Sequence, residues 1–177
     1  MRGIWMFFLV LPIFLIFSVS PGNAQFLKAG VEELRVPVAA PDFNLKVMGD
    51  GTIGLKDLKG KVALLTFIQD WCPICKKDAS SLDKLARATR NRDLAFLLLA
   101  VKWRDPELVK FKKEHNISSP ILIDKTGSVA KAYGISGYPE TLIVNRKGEI
   151  VGKTFAKDEW NSTPVKNLLK HLLAKDR

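Results

Sequence analysis

The segment Phe67-Ile68-Gln69-Asp70-Trp71-Cys72-Pro73-Ile74-Cys75-Lys76-Lys77-Asp78 joins two unlike patterns. Upstream, Val62-Ala63-Leu64-Leu65-Thr66-Phe67-Ile68 is a continuous apolar run of strand length, as expected of a central strand buried on both faces. Downstream, over residues 75–90, Leu82, Leu85, Ala86 and Thr89 recur at helical spacing with Lys and Arg on the other side. The two thiols therefore sit where a strand gives way to a helix. Pro73 suits the first helical position, which puts Cys72 at about the N-cap, where Ser or Asp is usual. Unpaired backbone N–H groups and the positive helix end stabilise a thiolate there, so Cys72 is expected to have a lowered pKa and to be the attacking group. Cys75, one turn in and more sheltered, is placed to resolve a mixed disulfide. Two thiols at this spacing are close enough to close a small disulfide ring.

Composition narrows the chemistry further. The chain has 177 residues, 47% hydrophobic and 26% charged, which suits one globular domain with an appendage and excludes a disordered or collagen-like chain. With two Cys in all, neither a disulfide-dense scaffold nor a four-thiolate metal site can be built from this chain alone. His115 and His171 are the two histidines; neither lies near a second Cys pair, which leaves half a zinc site without its other half. A bridge closing so short a loop also removes little unfolded-state entropy, which argues against a purely structural role. The net charge of +10 favours acidic partners or anionic surfaces. Its densest stretch, Lys84, Arg87, Arg90 and Arg92, lacks interleaved aromatics and any nucleic-acid motif, so a solvated helix face is expected and no nucleic-acid partner.

Working outward, Leu94–Val101 is a second apolar strand, and Asp105-Pro106 opens a short amphipathic helix that ends near His115. Pro120–Asp124 reads as a third strand, Ser128–Tyr133 as a brief helix stopped by Gly134, and 141–154 as a hairpin turning at Asn145-Arg146-Lys147-Gly148. Ser162 or Thr163 can cap a last helix carrying Leu168, Leu169, Leu172 and Leu173. Residues 41–61 hold turn signals at Gly49-Asp50-Gly51 and Gly60 that suggest a short hairpin, and residues 25–40 read as a lead-in. Strands alternating with helices imply an α/β sheet covered on both faces. At the other end, Arg2, the apolar run Ile4–Val19 and the small residues before Gln25 have the layout of a secretory signal peptide over residues 1–24, with an uncleaved N-terminal anchor as the second choice. Residues 25–177 form the working domain.

Taken with its neighbours, the Trp71–Cys75 segment resembles the active site of thioredoxin-fold proteins, in particular the exported TlpA/ResA-like thiol–disulfide oxidoreductases. Pro41-Asp42-Phe43 with its glycine turns looks like that family's N-terminal hairpin, residues 105–124 like its central helix–strand insertion, and Tyr133-Gly134-Ile135-Ser136-Gly137-Tyr138-Pro139 like its cis-proline approach. The resemblance covers roughly residues 38–175. It implies a thioredoxin-like fold, a central mixed sheet flanked by helices, a redox-active Cys72–Cys75 disulfide, and a cis Pro139 facing the cysteine pair. By composition alone Pro139 is equally an ordinary strand-entry proline.

Two positions depart from the thioredoxin pattern. Thr66 stands where thioredoxin has a buried acid, as in the exported subgroup, and Asp78 stands where that subgroup often has Glu. Asp78 fits two readings: a carboxylate that takes the proton of Cys75, or a helix-surface Asp too short to reach it. Trp71 shields the disulfide or simply packs, and client choice is expected around Trp71, Pro73, Ile74 and Tyr138. The resemblance implies an exported protein-disulfide reductase, in the bacterial periplasm or on the outer face of the cytoplasmic membrane. Its partners would be disulfide-bearing client proteins and a membrane-borne thiol electron donor, with no cofactor and no metal. Two alternatives stand beside it: a peroxiredoxin-like peroxidase, for which Gln69-Asp70-Trp71-Cys72 lacks the Thr-x-x-Cys pocket, and a copper or zinc carrier using the two thiols.

Overall fold

The computed structural model describes residues 21–175, so Ile4–Val19 and most of the 1–24 leader assignment lie outside the described residues. Helix α1 (Pro21–Lys28) leads into strand β1 (Glu32–Ala39), a hairpin of β2 (Asn44–Val47) and β3 (Thr52–Gly54), and a 3-10 turn at Leu55–Leu58. Then follow β4 (Val62–Ile68), α2 (Pro73–Thr89), β5 (Leu94–Val101), α3 (Asp105–Glu114), β6 (Ile121–Asp124) and α4 (Ser128–Ala132). The hairpin of β7 (Glu140–Val144) and β8 (Glu149–Phe155) and helix α5 (Thr163–Lys175) complete the described chain.

The strands form one mixed sheet in the order β1-β8-β7-β4-β5-β6-β2-β3. The parallel pairs are β4 with β5 and β5 with β6; β7, β8 and β1 extend one side antiparallel, and β2 and β3 extend the other. The expected 41–61 hairpin and the 105–124 insertion thus meet, since β2 pairs with β6 through Lys46–Ile123 and Val47–Leu122.

All seven residues of β4 are buried, so alternate side chains feed opposite faces. Leu64 and Ile68 join Leu98 and Ala100 under α2 and α5, where Ala79, Leu82, Leu85, Leu168 and Leu172 pack. Leu65 and Phe67 join Leu97, Leu99 and Val101 beneath α4 and the Phe43 region. Position 66 lies on the α2 face of the strand, and there Thr66 Oγ1 and Thr141 Oγ1 hydrogen-bond at 2.8 Å across the β4–β7 pair.

The lead-in at 25–40 is better ordered than its local pattern suggests: it forms α1 and the edge strand β1. Tertiary burial decides this. Phe26, Ala29 and Val31 sink into the core on the α5 side, and a Cβ at Gly152 would come within 2.7 Å of the Phe26 ring, so the bare glycine makes the slot for it. On the opposite flank Asp83 of α2 staples the approach to β6. Its Oδ1 accepts from the backbone N–H and hydroxyl of both Ser118 and Ser119 at 2.6–3.0 Å, and Oδ2 pairs with Arg87 at 3.0 Å. Burial works against this carboxylate, but the serine hydrogen bonds outweigh it and hold its pKa below the ordinary value.

Candidate active site

β4 delivers the chain to α2 through Gln69-Asp70-Trp71, and Pro73 occupies the first turn of the helix. Cys72 is its N-cap, with extended backbone (φ −95, ψ 103), and the Cys75 N–H points at Cys72 Sγ at 3.1 Å. A sulfur replaces the oxygen that normally satisfies an orphan helical donor, so the same N–H and the helix dipole are available to a thiolate. Cys72 and Cys75 are joined as a disulfide with Cα atoms 5.3 Å apart. Both cysteines are buried, Cys75 fully and Cys72 at 4% exposure, so Cys72 is the less covered of the two.

The peptide Tyr138–Pro139 is cis, and the Tyr138 carbonyl oxygen lies 3.6 Å from Cys72 Sγ. Around this spot the surface is apolar. Trp71 is 68% exposed and Ile74 49%, and Tyr138 meets the Trp71 ring edge-on with centroids 6.4 Å apart. The Trp71 indole N–H donates to Gln69 Oε1, which fixes the ring over its own loop. Phe155, at the end of β8 and 53% exposed, lies against Gly137, where any Cβ would strike its ring. Ala156 N–H donates to the Pro139 carbonyl at 3.1 Å, tying that end of β8 to the proline loop. Phe155 carries no motif in the sequence; it is found only because β8 pairs with β7 and ends beside the proline.

Asp78 is not on the helix surface. It is 1% exposed, on the face of α2 that also carries Cys75 three residues earlier. Its Oδ1 accepts two hydrogen bonds, from Lys157 N–H at 2.7 Å and the Trp160 indole N–H at 3.1 Å, while the buried Oδ2 has no partner among the described residues. Burial pushes its pKa up from 3.8 to about 7, against those two hydrogen bonds, and the nearby Asp158 charge adds to the rise. Lys157 responds in the opposite sense: burial lowers its pKa, and the Asp78 and Glu159 carboxylates partly restore it. Trp160, which belongs to no motif in the sequence, is 1% exposed, and its backbone N–H donates to Ser81 Oγ at 2.9 Å.

The structure thus brings Trp71, Cys72, Pro73, Ile74, Cys75, Tyr138 and Pro139 to one place and sets Asp78 beneath them, backed by Lys157 and Trp160. His115 lies outside this group: it caps the end of α3, with its ring against Phe111 and its Nδ1 3.4 Å from Ser80 Oγ. Among the described residues no cluster of three or more His, Cys, Asp or Glu is arranged to hold a metal ion. Also among them, no helix is long and apolar enough to cross a membrane.

Residues 36–153 match the AhpC/TSA family. Over 149 residues the chain is 31% identical to the thiol-disulfide oxidoreductase ResA of Halalkalibacterium halodurans, which covers 82% of this chain and 84% of that one. It is 30% identical over 129 residues to the ResA of Bacillus subtilis, covering 73% and 71% of the two chains. Among solved structures, a thioredoxin-family thiol:disulfide interchange protein from Chlorobium tepidum superposes with a TM-score of 0.69 at 20% identity, over 80% of this chain and 99% of that one. The fold is thioredoxin-like.

Proposed function

The chain belongs to the AhpC/TSA family, and we propose that within it this protein is a thiol–disulfide oxidoreductase that runs as a protein-disulfide reductase through Cys72 and Cys75. The observation that carries the reading is the bridged pair at the first turn of α2, with the outer sulfur beside the Tyr138 carbonyl and an apolar rim around it.

In the reduced enzyme the Cys72 thiolate attacks one sulfur of a client disulfide. A mixed disulfide forms and the other client sulfur leaves as a thiolate. Asp78 takes the proton of Cys75, whose thiolate attacks Cys72 Sγ, closes the enzyme disulfide and expels the second client thiolate. Two electrons pass from the two cysteines to the client, and the proton left on Asp78 goes out to the departing thiolate or to solvent. A carboxyl poised at about 7 can make and undo this transfer near neutrality. The exposed Trp71 and Ile74 flank the target sulfur, Phe155 lies against Gly137 beside the proline loop, and the Tyr138–Pro139 peptide offers its carbonyl to an incoming backbone.

The apolar run Ile4–Val19 supports export, to the periplasm or the outer face of the membrane. An oxidising compartment supplies no electrons, so re-reduction there requires a membrane-borne thiol donor.

A Cys75→Ser variant should accumulate client proteins as mixed disulfides on Cys72, while Cys72→Ser should hold none and reduce nothing. The reduction potential of the couple decides direction: a value near about −270 mV marks a reductase, and one near about −120 mV an oxidant, which would overturn that part of the reading. Catalytic peroxide consumption by the reduced protein would replace the reading with the peroxidase alternative.

A further inference from the structure

Asp78 is held from outside its helix. The loop after β8, residues 156–160, is tied at one end to Pro139 through the Ala156 N–H and at the other to α2 through the Trp160 N–H on Ser81. Between those ties it sends two donors, the Lys157 backbone N–H and the Trp160 indole, to the same carboxylate oxygen. Among the described residues, Oδ2 is left buried without a partner.

We propose that Lys157 and Trp160 are positioning residues for the thiol chemistry: by occupying Oδ1 they leave Oδ2 as the oxygen that receives the proton of Cys75, and they set the pH at which it can do so. The inference rests on the oxidoreductase reading above and adds a residue pair to it. The same loop touches the cis-proline segment and the cysteine helix, so one short stretch orients both the client-facing carbonyl and the proton acceptor.

The sign of the effect follows from the bonds. A donor to Oδ1 favours the ionised carboxylate, so its loss leaves the acceptor protonated to higher pH. The charged and titratable groups at this spot are Cys75 on the shared face of α2 and Lys157 and Asp158 on the loop, with Glu159 acting on Lys157. Trp160→Phe keeps an aromatic ring at the position and deletes the pyrrole part of the indole with its N–H. It leaves the Lys157 ammonium and the Asp158 carboxylate in place, so the shift it produces reports the indole bond.

The test is the reaction of the full-length reduced chain with 5,5′-dithiobis(2-nitrobenzoate), a chromogenic aromatic disulfide, followed by stopped flow across pH. Attack by Cys72 releases one thionitrobenzoate, and closure by Cys75 on Cys72 releases the second, so the two steps are read separately. In Trp160→Phe the midpoint of the second phase should move up by about one pH unit, the value of one hydrogen bond to a charged group, with the second phase about fivefold slower near pH 7. The first phase should keep its midpoint. Ser81→Ala, which loosens the Trp160 backbone without touching the indole, should shift the second phase the same way by less, and it decides the matter if Trp160→Phe fails to fold. In Asp78→Asn the second phase should lose that midpoint altogether.

If both variants retain the wild-type second-phase midpoint, the positioning role is wrong while the oxidoreductase reading stands. If the wild-type chain never releases a second thionitrobenzoate, the oxidoreductase reading itself fails.

Discussion

Asp78→Asn should make the folded protein more resistant to alkali, although it removes a group assigned to catalysis. In the wild-type fold the Asp78 carboxyl titrates at about 7 instead of 3.8, because burial penalises its charge. Between about pH 4 and pH 7 the folded chain therefore holds a proton that the unfolded chain has already lost, and stability falls as pH rises across that window. Three pH units at about 1.4 kcal/mol each set a ceiling of about 4 kcal/mol for that loss. Asn keeps the Oδ1 acceptor for Lys157 and Trp160, which stand at 2.7 and 3.1 Å. Its amide N–H2, however, takes the place of an oxygen that has no partner among the described residues, at a pH-independent cost of about 1–3 kcal/mol. The variant should be weaker than wild type below about pH 4, cross it between about pH 4.5 and pH 6, and exceed it by about 1–3 kcal/mol at pH 9. Urea unfolding of the oxidised protein at a series of pH values measures both curves. Parallel curves would mean that Asp78 ionises in the fold as it does in water, and the argument that burial tunes it would be refuted.

Two further outcomes follow from the same geometry. Asp83→Ala should destabilise by about 2–4 kcal/mol at neutral pH, since the Ser118 and Ser119 donors and Arg87 lose one shared acceptor; with the Asp83 pKa held below its ordinary value, the wild-type advantage should persist above about pH 4 and fade as pH falls through the folded value, by thermal or urea melts. If the exposed Trp71 ring serves the client surface proposed above, Trp71→Ala should raise KM for a protein disulfide about tenfold while leaving the first thionitrobenzoate phase within about twofold; an equal loss with both substrates would assign the ring to the reaction instead.

The strands and helices were legible because their apolar periods are strong and their ends are punctuated. β4 and β5 match the apolar runs residue for residue, and Cys72 is the N-cap that Pro73 foretold. What escaped was non-local. α1 and β1 carry little period of their own; they are ordered by Phe26 fitting over Gly152, some 120 positions away, and no window along the sequence contains both partners. Phe155 and Trp160 escaped for the same reason. Each reaches the site from a strand end or a loop that follows β8, and only the pairing of β7 and β8 brings that region back to the cysteine helix.

Asp78 illustrates how position outweighs residue type. Read along the helix, Asp is a methylene shorter than Glu, and that shortness argued against a role with Cys75. Burial reverses the argument. A longer carboxylate could swing toward solvent, whereas Asp78 is confined at 1% exposure and clamped on one oxygen by two donors from a separate loop. The strand position where thioredoxin carries its buried acid is filled here by Thr66, whose hydroxyl is already engaged by Thr141. In the proposed mechanism the proton acceptor for Cys75 is Asp78, on the helix side of the pair, and the 156–160 loop crosses to hydrogen-bond it there. The shorter side chain is the one that fits that arrangement, and lengthening it by Asp78→Glu should weaken the resolving step more than it weakens the fold, read as a slower second thionitrobenzoate phase with a melting temperature close to wild type.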